Sequence, residues 1–292
     1  MSVILVVDNA GIGNVVEIAQ ALGSQPTVIA AGPKQIAEEL SGSLAVTWIA
    51  ADGPAEALAP AVIALAADAD VVLAADRSAE RALLGQVAAA RSIPVLPAVT
   101  GAAGNTVSRT TLNGLVAVTE AVSGPVALLV SGAPKPVPAG SGSFQEATPA
   151  ATYQVAVVSE SASQQAQVDL AGASRVIGVG RGIKAEADLA MIEELAAKLG
   201  AAIACSRPIA EGVGWLPRDR YLGVSGQVIA PALYLAVGIS GQVQHMVGVR
   251  GSKAVVAINS DPNAPIFNEC DAGVVADLYQ IVPALTAALG AS

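Results

Sequence analysis

The sequence predicts an α/β protein of two domains, each built on a mainly parallel sheet flanked by helices. Three observations lead there. Short runs rich in β-branched residues alternate with helix-length segments along most of the chain, the pattern of strands joined by crossover helices. Hydrophobic residues make up 53% of the sequence but aromatics only 3%. Such an alanine- and valine-rich interior suits helices packed closely on buried parallel strands. A length of 292 residues, against about 150 per domain, calls for two domains. We place them at 1–172 and 173–292, with a Pro/Gly/Ser-rich segment at 131–151.

Val3–Val7 opens the chain as a strand, and Asn9-Ala-Gly-Ile-Gly13 turns it into a helix from Val15 to Leu22. The Gly11-x-Gly13 pair matches half of a dinucleotide fingerprint. Val16, however, stands where a third small residue belongs, and no acidic residue closes the next strand, Thr27–Ala31. A plain strand-to-helix turn is the stronger reading. A helix follows from Pro33, in the favoured first position, to Leu40. Then come a strand, Ala45–Ile49, a helix from Pro54 to Ala67 and a strand, Val71–Ala75. Ser78 is placed to cap a helix carrying Leu83, Leu84 and Val87, and Val95–Val99 is the next strand. Thr106–Thr111 and Leu115–Thr119 flank Asn113-Gly114, a two-residue hairpin signal, and Val126–Val130 adds a strand. Asp76, Arg77 and Arg81, near a strand end, read as a solvated face or a subunit contact. From Ser131 to Ala151 the chain reads as a linker or long surface loop. Tyr153–Val158 returns to strand, and a polar stretch, Ser161–Gln167, leads to the second domain.

The second half carries the chemistry. Arg175–Val179 is a strand ending in Gly178-Val-Gly-Arg-Gly182. The next helix has Leu189, Ile192, Leu195 and Leu199 as its core stripe, Lys198 in its last turn and Gly200 just past its end. Arg181, among glycines at a strand end, is placed for a phosphate. Ala201–Ala204 is a strand followed by Cys205-Ser-Arg-Pro208, where Ser206 and Arg207 offer a hydroxyl and a guanidinium. Each arginine, taken alone, is equally open to an ordinary ion pair. Tyr221-Leu-Gly-Val-Ser-Gly226 is a glycine-bounded loop. Leu233–Val237 is a strand buried on both faces, which breaks at Gly238-Ile-Ser-Gly241 and resumes as a helix. Unpaired turn amides, a positive helix end and glycines that admit a phosphate make this an anion site. His245, the single histidine of the chain, lies one turn beyond. Lys253–Asn259 is a strand ending in Asn259-Ser-Asp261, and Asp277 begins the last helix, which ends at Leu289. Asn259 and Asp277 suit a ribose or an adenine, with helix capping as the other reading of Asp277. A nucleotide cofactor is the expected tenant.

Several classes are disfavoured. Net charge is −9 and no basic run exists, which argues against nucleic acid. No apolar run reaches the ~18 residues of a membrane span. The N-terminus has no basic region and reads as a strand, not a leader. Cys205 and Cys270 lie far apart, without a C-x-x-C pattern, and read as two small buried thiols in a reducing cytoplasm, with no metal site. With one histidine and no G-x-S-x-G elbow, no nucleophilic triad is expected.

Gly180-Arg-Gly-Ile, Ser206-Arg-Pro, Gly223-Val-Ser-Gly, Leu233-Tyr-Leu-Ala-Val-Gly-Ile-Ser-Gly-Gln-Val-Gln-His245, Ala257-Ile-Asn-Ser-Asp-Pro and Ala264-Pro-Ile-Phe occur together and in order. This set resembles the FAD domain of electron-transfer flavoprotein α subunits, densely over 173–290. The N-terminal half is compatible with that family only in length and texture. Gly223-Val-Ser-Gly226 replaces the family's usual Gly-Gln-Thr-Gly; with Ser-Arg-Pro and Gln-His-Met246 it resembles the FixB branch, linked to nitrogen fixation and carnitine or acyl-CoA reduction. Ser225 keeps the usual hydroxyl, while Val224 loses the glutamine amide. Cys270-Asp-Ala-Gly273 stands where the family has Ala-Asp-Tyr-Gly.

The resemblance implies a Rossmann-like FAD-binding domain holding one FAD. Ser240 and the amides of Gly241, Gln242, Val243 and Gln244 would hold the pyrophosphate, with Arg181 and Ser206 adding a charge and a hydroxyl. Asn259, Asp277 and Leu278 would line the adenosine end. Leu222, Gly223, Val224 and Ser225 would border the isoalloxazine, with the Ser225 hydroxyl near N5. Arg207 would lie by the ring, and His245 would donate towards O2. It further implies a prokaryotic, cytoplasmic electron carrier without a metabolite substrate of its own. Such a carrier is a heterodimer with a β subunit, serving an acyl-CoA dehydrogenase or reductase, as in fatty acid β-oxidation, or a quinone oxidoreductase, and in some systems bifurcating electrons. Two other readings stand beside it: a nicotinamide-dependent oxidoreductase using Gly11-x-Gly13, and a non-redox nucleotide-binding scaffold subunit.

Overall fold

The computed structural model describes residues 1–50, 54–112, 114–132, 134–149, 151–155, 158–159 and 168–290. The chain divides into two compact units, Met1–Ala162 and Ser163–Ser292.

The first unit runs β1 (Ser2–Val6), α1 (Gly13–Ala21), β2 (Pro26–Ala30), α2 (Lys34–Ser41), β3 (Ala45–Ile49), α3 (Ala59–Leu65), β4 (Val71–Ala75), α4 (Ser78–Arg91), β5 (Val95–Ala103), β6 (Thr106–Thr111), β7 (Val116–Ala121), β8 (Val126–Val130) and β9 (Ser143–Ala147). The strands form one sheet in the order β7-β6-β5-β8-β4-β1-β2-β3-β9. All neighbours are parallel except β5–β6 and β6–β7. Alternation along β1 explains the two-sided burial. Val3 and Leu5 join one core with α3 and α4, while Ile4 and Val6 join another with α1 and α2. Strands covered on both faces read as unbroken apolar runs, which is why β1, β4 and β8 were legible.

Some local expectations need correction. The helix expected from Pro54 to Ala67 is split into a tight turn, Ala55–Leu58, and α3. Pro60 sits in the first turn of α3, where its missing N–H prevents a continuous α-helix through that point. Pro33 is extended and precedes α2 rather than opening it. Ser78 is the first residue of α4 and caps nothing. The carboxylate of Glu80 does the comparable work, accepting from the amides of Val7 at 3.0 Å and Asp8 at 3.2 Å. β5 runs on to Ala103 because antiparallel pairing with β6 carries it past its parallel contact with β8. The β6–β7 hairpin forms as expected, although Asn113 lies outside the described residues.

The segment 131–151 is more than a linker. The carbonyl of Lys135 accepts from Gly13 at 2.9 Å. Ser143–Ala147 pairs in parallel with β3, with Trp48 and Phe144 stacked at a tilt, 6.3 Å between centroids. A polar strand laid there covers the edge of β3. Tyr153–Val155 forms no strand, and the amide of Tyr153 donates to Ala57. Ala156, Val157 and the stretch Ser161–Gln167 lie outside the described residues.

The second unit runs β10 (Arg175–Val179), α5 (Leu189–Leu199), β11 (Ala202–Cys205), β12 (Leu233–Val237), α6 (Val243–Met246), β13 (Val255–Asn259), β14 (Ala272–Val275) and α7 (Leu278–Gly290). Its five strands are all parallel, in the order β11-β10-β12-β13-β14. Tyr234 and Ala236 face one core; Leu235 and Val237 face the other, with α5 and α7. Cys205 and Cys270 are both free, and burial pushes the Cys205 thiol up to about 12. Among the described residues no helix is long and apolar enough to cross a membrane. None of them form a cluster of three or more His, Cys, Asp or Glu side chains suited to a metal.

Candidate functional site

In a parallel sheet wound in both directions, the loops leaving two adjacent strands diverge where the order reverses, and a crevice opens at the strands' carboxyl ends. In the second unit that point lies between β10 and β12. The chain leaves β10 through Gly180-Arg-Gly182 and β12 through Gly238-Ile-Ser-Gly241. The two loops touch: Gly182 donates to the Gly238 carbonyl at 3.1 Å, and a Cβ on Gly182 would come within 2.7 Å of the Gly238 Cα. Gly238 and Gly241 have φ of +64° and +79°, the left-handed region that only glycine enters without strain. The turn therefore needs both glycines.

A cavity of about 490 Å³ opens here, a size common for small-molecule sites. Of the residues proposed from sequence, Arg181, Ser206, Arg207, Val224, Ser240, Gln242, Gln244, His245, Asn259, Asp277 and Leu278 line it. Leu222, Gly223, Ser225, Gly241 and Val243 are not part of that lining. The hydroxyl of Ser225 faces that of Tyr221 at 3.3 Å, and Tyr221 itself lines the cavity.

The helix after the turn is shorter than expected. α6 has four residues, too few for a macrodipole of any weight, so the dipole argument does not hold. What remains is the backbone. The amides of Ser240, Gly241, Gln242 and Gln244 donate to no protein acceptor among the described residues.

The charged groups differ in their commitments. Arg181 is exposed and has no ion-pair partner among the described residues. Arg207 is held by Glu211 at 2.6 Å, and Glu211 also meets Arg218 at 3.2 Å. Lys184, unforeseen from sequence, lines the cavity with its ammonium 4.9 Å from the Tyr279 ring centroid. Asp277 accepts from the Tyr279 amide at 3.0 Å, which is the capping role, and still lines the cavity. Asn259 braces the turn. Its Nδ2 donates to the Ile239 carbonyl at 2.8 Å and its Oδ1 accepts from Asp261 at 2.9 Å.

His245 is 92% buried by area. Its Nε2 lies 2.8 Å from the Tyr234 hydroxyl, and its Nδ1 has no hydrogen-bond partner among the described residues. Burial pulls the imidazole down to about 4; the Leu222 backbone, close to the ring but outside hydrogen-bond geometry, offsets this slightly. The ring is neutral at pH 7. Tyr234 was read from sequence as one apolar residue among five. A buried tyrosine's need for a polar partner was the available signal.

The Gly11-x-Gly13 turn of the first unit is occupied by its own chain. Asn9 Oδ1 accepts from the Gly11 amide at 2.6 Å, Arg77 donates to the carbonyls of Asn9 and Gly11, and Lys135 takes the amide of Gly13. Asp76 pairs with Arg81. A second cavity, of about 500 Å³, lies at the ends of β1–β3 instead, and the Lys34 beside it sits over Trp48 and Phe144.

Fold and site define a nucleotide-binding domain of the doubly wound parallel type. Residues 169–250 match the electron transfer flavoprotein FAD-binding domain. Over 128 residues the chain is 58% identical to YdiR of Escherichia coli (strain K12), whose name assigns it provisionally to the electron transfer flavoprotein subunits. It is 52% identical to FixB of Escherichia coli O9:H4 (strain HS) over the same length. Each match covers 44% of this chain and 41% of the relative. Among solved structures, one provisionally assigned as a thiamin diphosphate-dependent enzyme from Mycobacterium smegmatis covers 98% of this chain and 59% of its own. It does so at 14% identity and a TM-score of 0.25. The C-terminal unit thus carries an electron transfer flavoprotein FAD-binding domain of the FixB and YdiR type, and its cofactor is FAD. The residues present fit that group. The cations Arg181, Lys184 and Arg207 and the free turn amides suit a pyrophosphate, and the unsatisfied buried Nδ1 of His245 suits a polar edge of a ring.

Proposed function

We propose that this chain is the α subunit of a heterodimeric electron-transfer flavoprotein of the FixB type, carrying electrons between other redox proteins and turning over no metabolite itself. The observation that carries the reading is the cavity at the β10/β12 switch point, where the ordered motifs of the second half converge on one buried, half-satisfied histidine. The domain 173–292 holds one FAD, and 1–172 meets the β subunit. Ser240 and the amides of Gly241 to Gln244 bind the pyrophosphate, together with Arg181 and Ser206. Asn259, Asp277 and Leu278 border the adenosine. Leu222 to Ser225 and Arg207 border the flavin ring, and His245 donates to its O2. When bound, FAD supplies one- and two-electron transfer. The protein's part is to place donors and positive charge where reduction gathers negative charge, about N1 and C2=O, which raises the potential. The cytoplasm, and acyl-CoA dehydrogenases or reductases or a quinone oxidoreductase as partners, follow from the same reading.

The test is the visible spectrum of the chain co-purified with its β partner, followed through stepwise reduction. Flavin bands with one FAD per heterodimer support a simple carrier, and two FAD support bifurcation. A colourless complex that also refuses added FAD overturns the proposal. His245→Ala is expected to lower the potential of the first electron, and an unchanged redox titration would remove that residue's role.

A further inference from the structure

β12 places a wholly buried tyrosine in the middle of an apolar strand, and its hydroxyl ends 2.8 Å from His245 Nε2. To reach it, the Tyr234 ring crosses the neighbouring strand. Val176 of β10 is the registered partner of Tyr234 and Gly178 that of Ala236, so Gly178 lies two residues along on the same face. A Cβ on Gly178 would overlap the Tyr234 hydroxyl and come within 2.6 Å of its Cζ. Glycine inside a central strand is unfavourable for the strand itself and often marks a close approach by another group. Here that group is the phenol.

The direction of the Tyr234–His245 hydrogen bond follows from counting protons. A neutral imidazole has one N–H and one acceptor nitrogen, and a phenol has one O–H. Burial holds the Tyr234 phenol well above its ordinary value and the His245 imidazole at about 4, so both are neutral. If Nε2 donated to the phenol oxygen, the phenolic proton would be buried with no acceptor among the described residues. Leaving a buried donor unmade is the costly arrangement. If the phenol donates to Nε2, both atoms of the contact are satisfied and the one donor left over is the ring N–H on Nδ1. A ligand in the cavity can take up that N–H, whereas a phenolic proton of the wholly buried Tyr234, outside the cavity lining, could not be taken up. That is the nitrogen with no protein partner, on a side chain that lines the cavity.

We infer that Tyr234 is the positioning residue of the site: its hydroxyl donates to Nε2 of His245, fixes the Nδ1–H tautomer, and so presents a neutral N–H donor to an acceptor oxygen of the bound cofactor, with Gly178 as the gap in β10 that makes this possible. The second half of this statement rests on the reading that His245 meets the flavin. It explains how a ring kept neutral by burial is still restricted to donating, although an acceptor-facing tautomer is equally open to a free imidazole.

Because the chain has one histidine, ¹⁵N-histidine labelling of this subunit, with the β subunit unlabelled, reports a single ring. In the wild-type complex the protonated nitrogen is expected to be Nδ1. Tyr234→Phe keeps the ring and removes only the hydroxyl; it is expected to release the tautomer towards Nε2–H and to weaken FAD binding by about two- to tenfold. Gly178→Ala, which displaces the phenol without altering it, is expected to move the tautomer in the same direction. A wild-type ring protonated on Nε2, or an Nδ1–H form that persists in Tyr234→Phe, overturns the inference. His245→Ala examines the reading beneath it. If FAD affinity and potential do not change in that variant, the flavin contact falls while the tautomer assignment stands.

Discussion

The two sheets of this chain solve the same topological problem and end with opposite surfaces. Each reverses its winding beside a central strand, between β1 and β4 in the first unit and between β10 and β12 in the second. In the first, the chain satisfies the exposed ends itself. Glu80, fully buried, takes the amides of Val7 and Asp8; Arg77 takes two carbonyls; Lys135 takes the amide of Gly13. In the second, the turn amides and Arg181 have no such internal partner, and a cavity lies against them. The lesson is that winding order creates a polar crevice, and the identity of whatever neutralises it decides between a structural unit and a binding one. A side chain at the position of Glu80 takes the strand-end amides from within, and the first unit's cavity lies aside at the ends of β1–β3, while two glycine loops leave their amides to a ligand.

The comparison is broken most severely at Glu80. Glu80→Ala leaves the buried amide of Val7 and the part-buried amide of Asp8 without their acceptor, and should cost about 3 kcal/mol of unfolding free energy, read from urea denaturation of the first unit's signal. A loss below about 1 kcal/mol would mean that the carboxylate is not what holds those strand ends.

Acid acts next, and on the second unit. The His245 imidazole is held at about 4 in the fold against an ordinary 6.5, so the unfolded chain binds the extra proton first. Stability is fully present above pH 6.5 and falls as pH drops towards 4, by roughly 3 kcal/mol at most. Flavin-free protein should show this loss in denaturation curves across that window, and His245→Gln should flatten it. Parallel slopes for the two proteins would show that the ring is not held neutral.

The smallest effects separate the arginines. Arg181→Ala, which removes an uncommitted cation, should weaken FAD binding about tenfold. Arg207→Ala, whose guanidinium is already shared with Glu211, should weaken it only about threefold. Equal losses by calorimetry would mean that the Arg207–Glu211 pair opens when the cofactor enters.

Much of the architecture was written in local patterns. Leu233–Val237 and Arg175–Val179 have the predicted bounds because a short, mostly apolar run followed by a glycine turn admits few alternatives. What escaped depends on residues distant in sequence. β9 is a polar pentapeptide, Ser-Phe-Gln-Glu-Ala, that becomes a strand only because the edge of β3 is there to receive it. α6 stops after one turn where Gly248 packs beneath the 221–227 loop, a Cβ there meeting Gly223 and Gln227 backbone. Tyr234 looks apolar in its own strand, and its purpose needs a glycine from β10 and a histidine eleven residues on. That the two glycine loops border one cavity was readable from their residues as a set, whereas the bracing role of Asn259 was not.

The segment from Lys135 to Ala147 carries one further consequence, for a chain made from its N-terminus onwards. The first strand-to-helix turn is complete in sequence by Gly13, and β3 by Ile49, yet the carbonyl that covers the one and the strand that covers the other come about a hundred residues later. Until then the nascent unit has an open turn and an open sheet edge, the surfaces on which chains join wrongly. This late segment of the unit acts as its latch, and the order of synthesis becomes an order of closure.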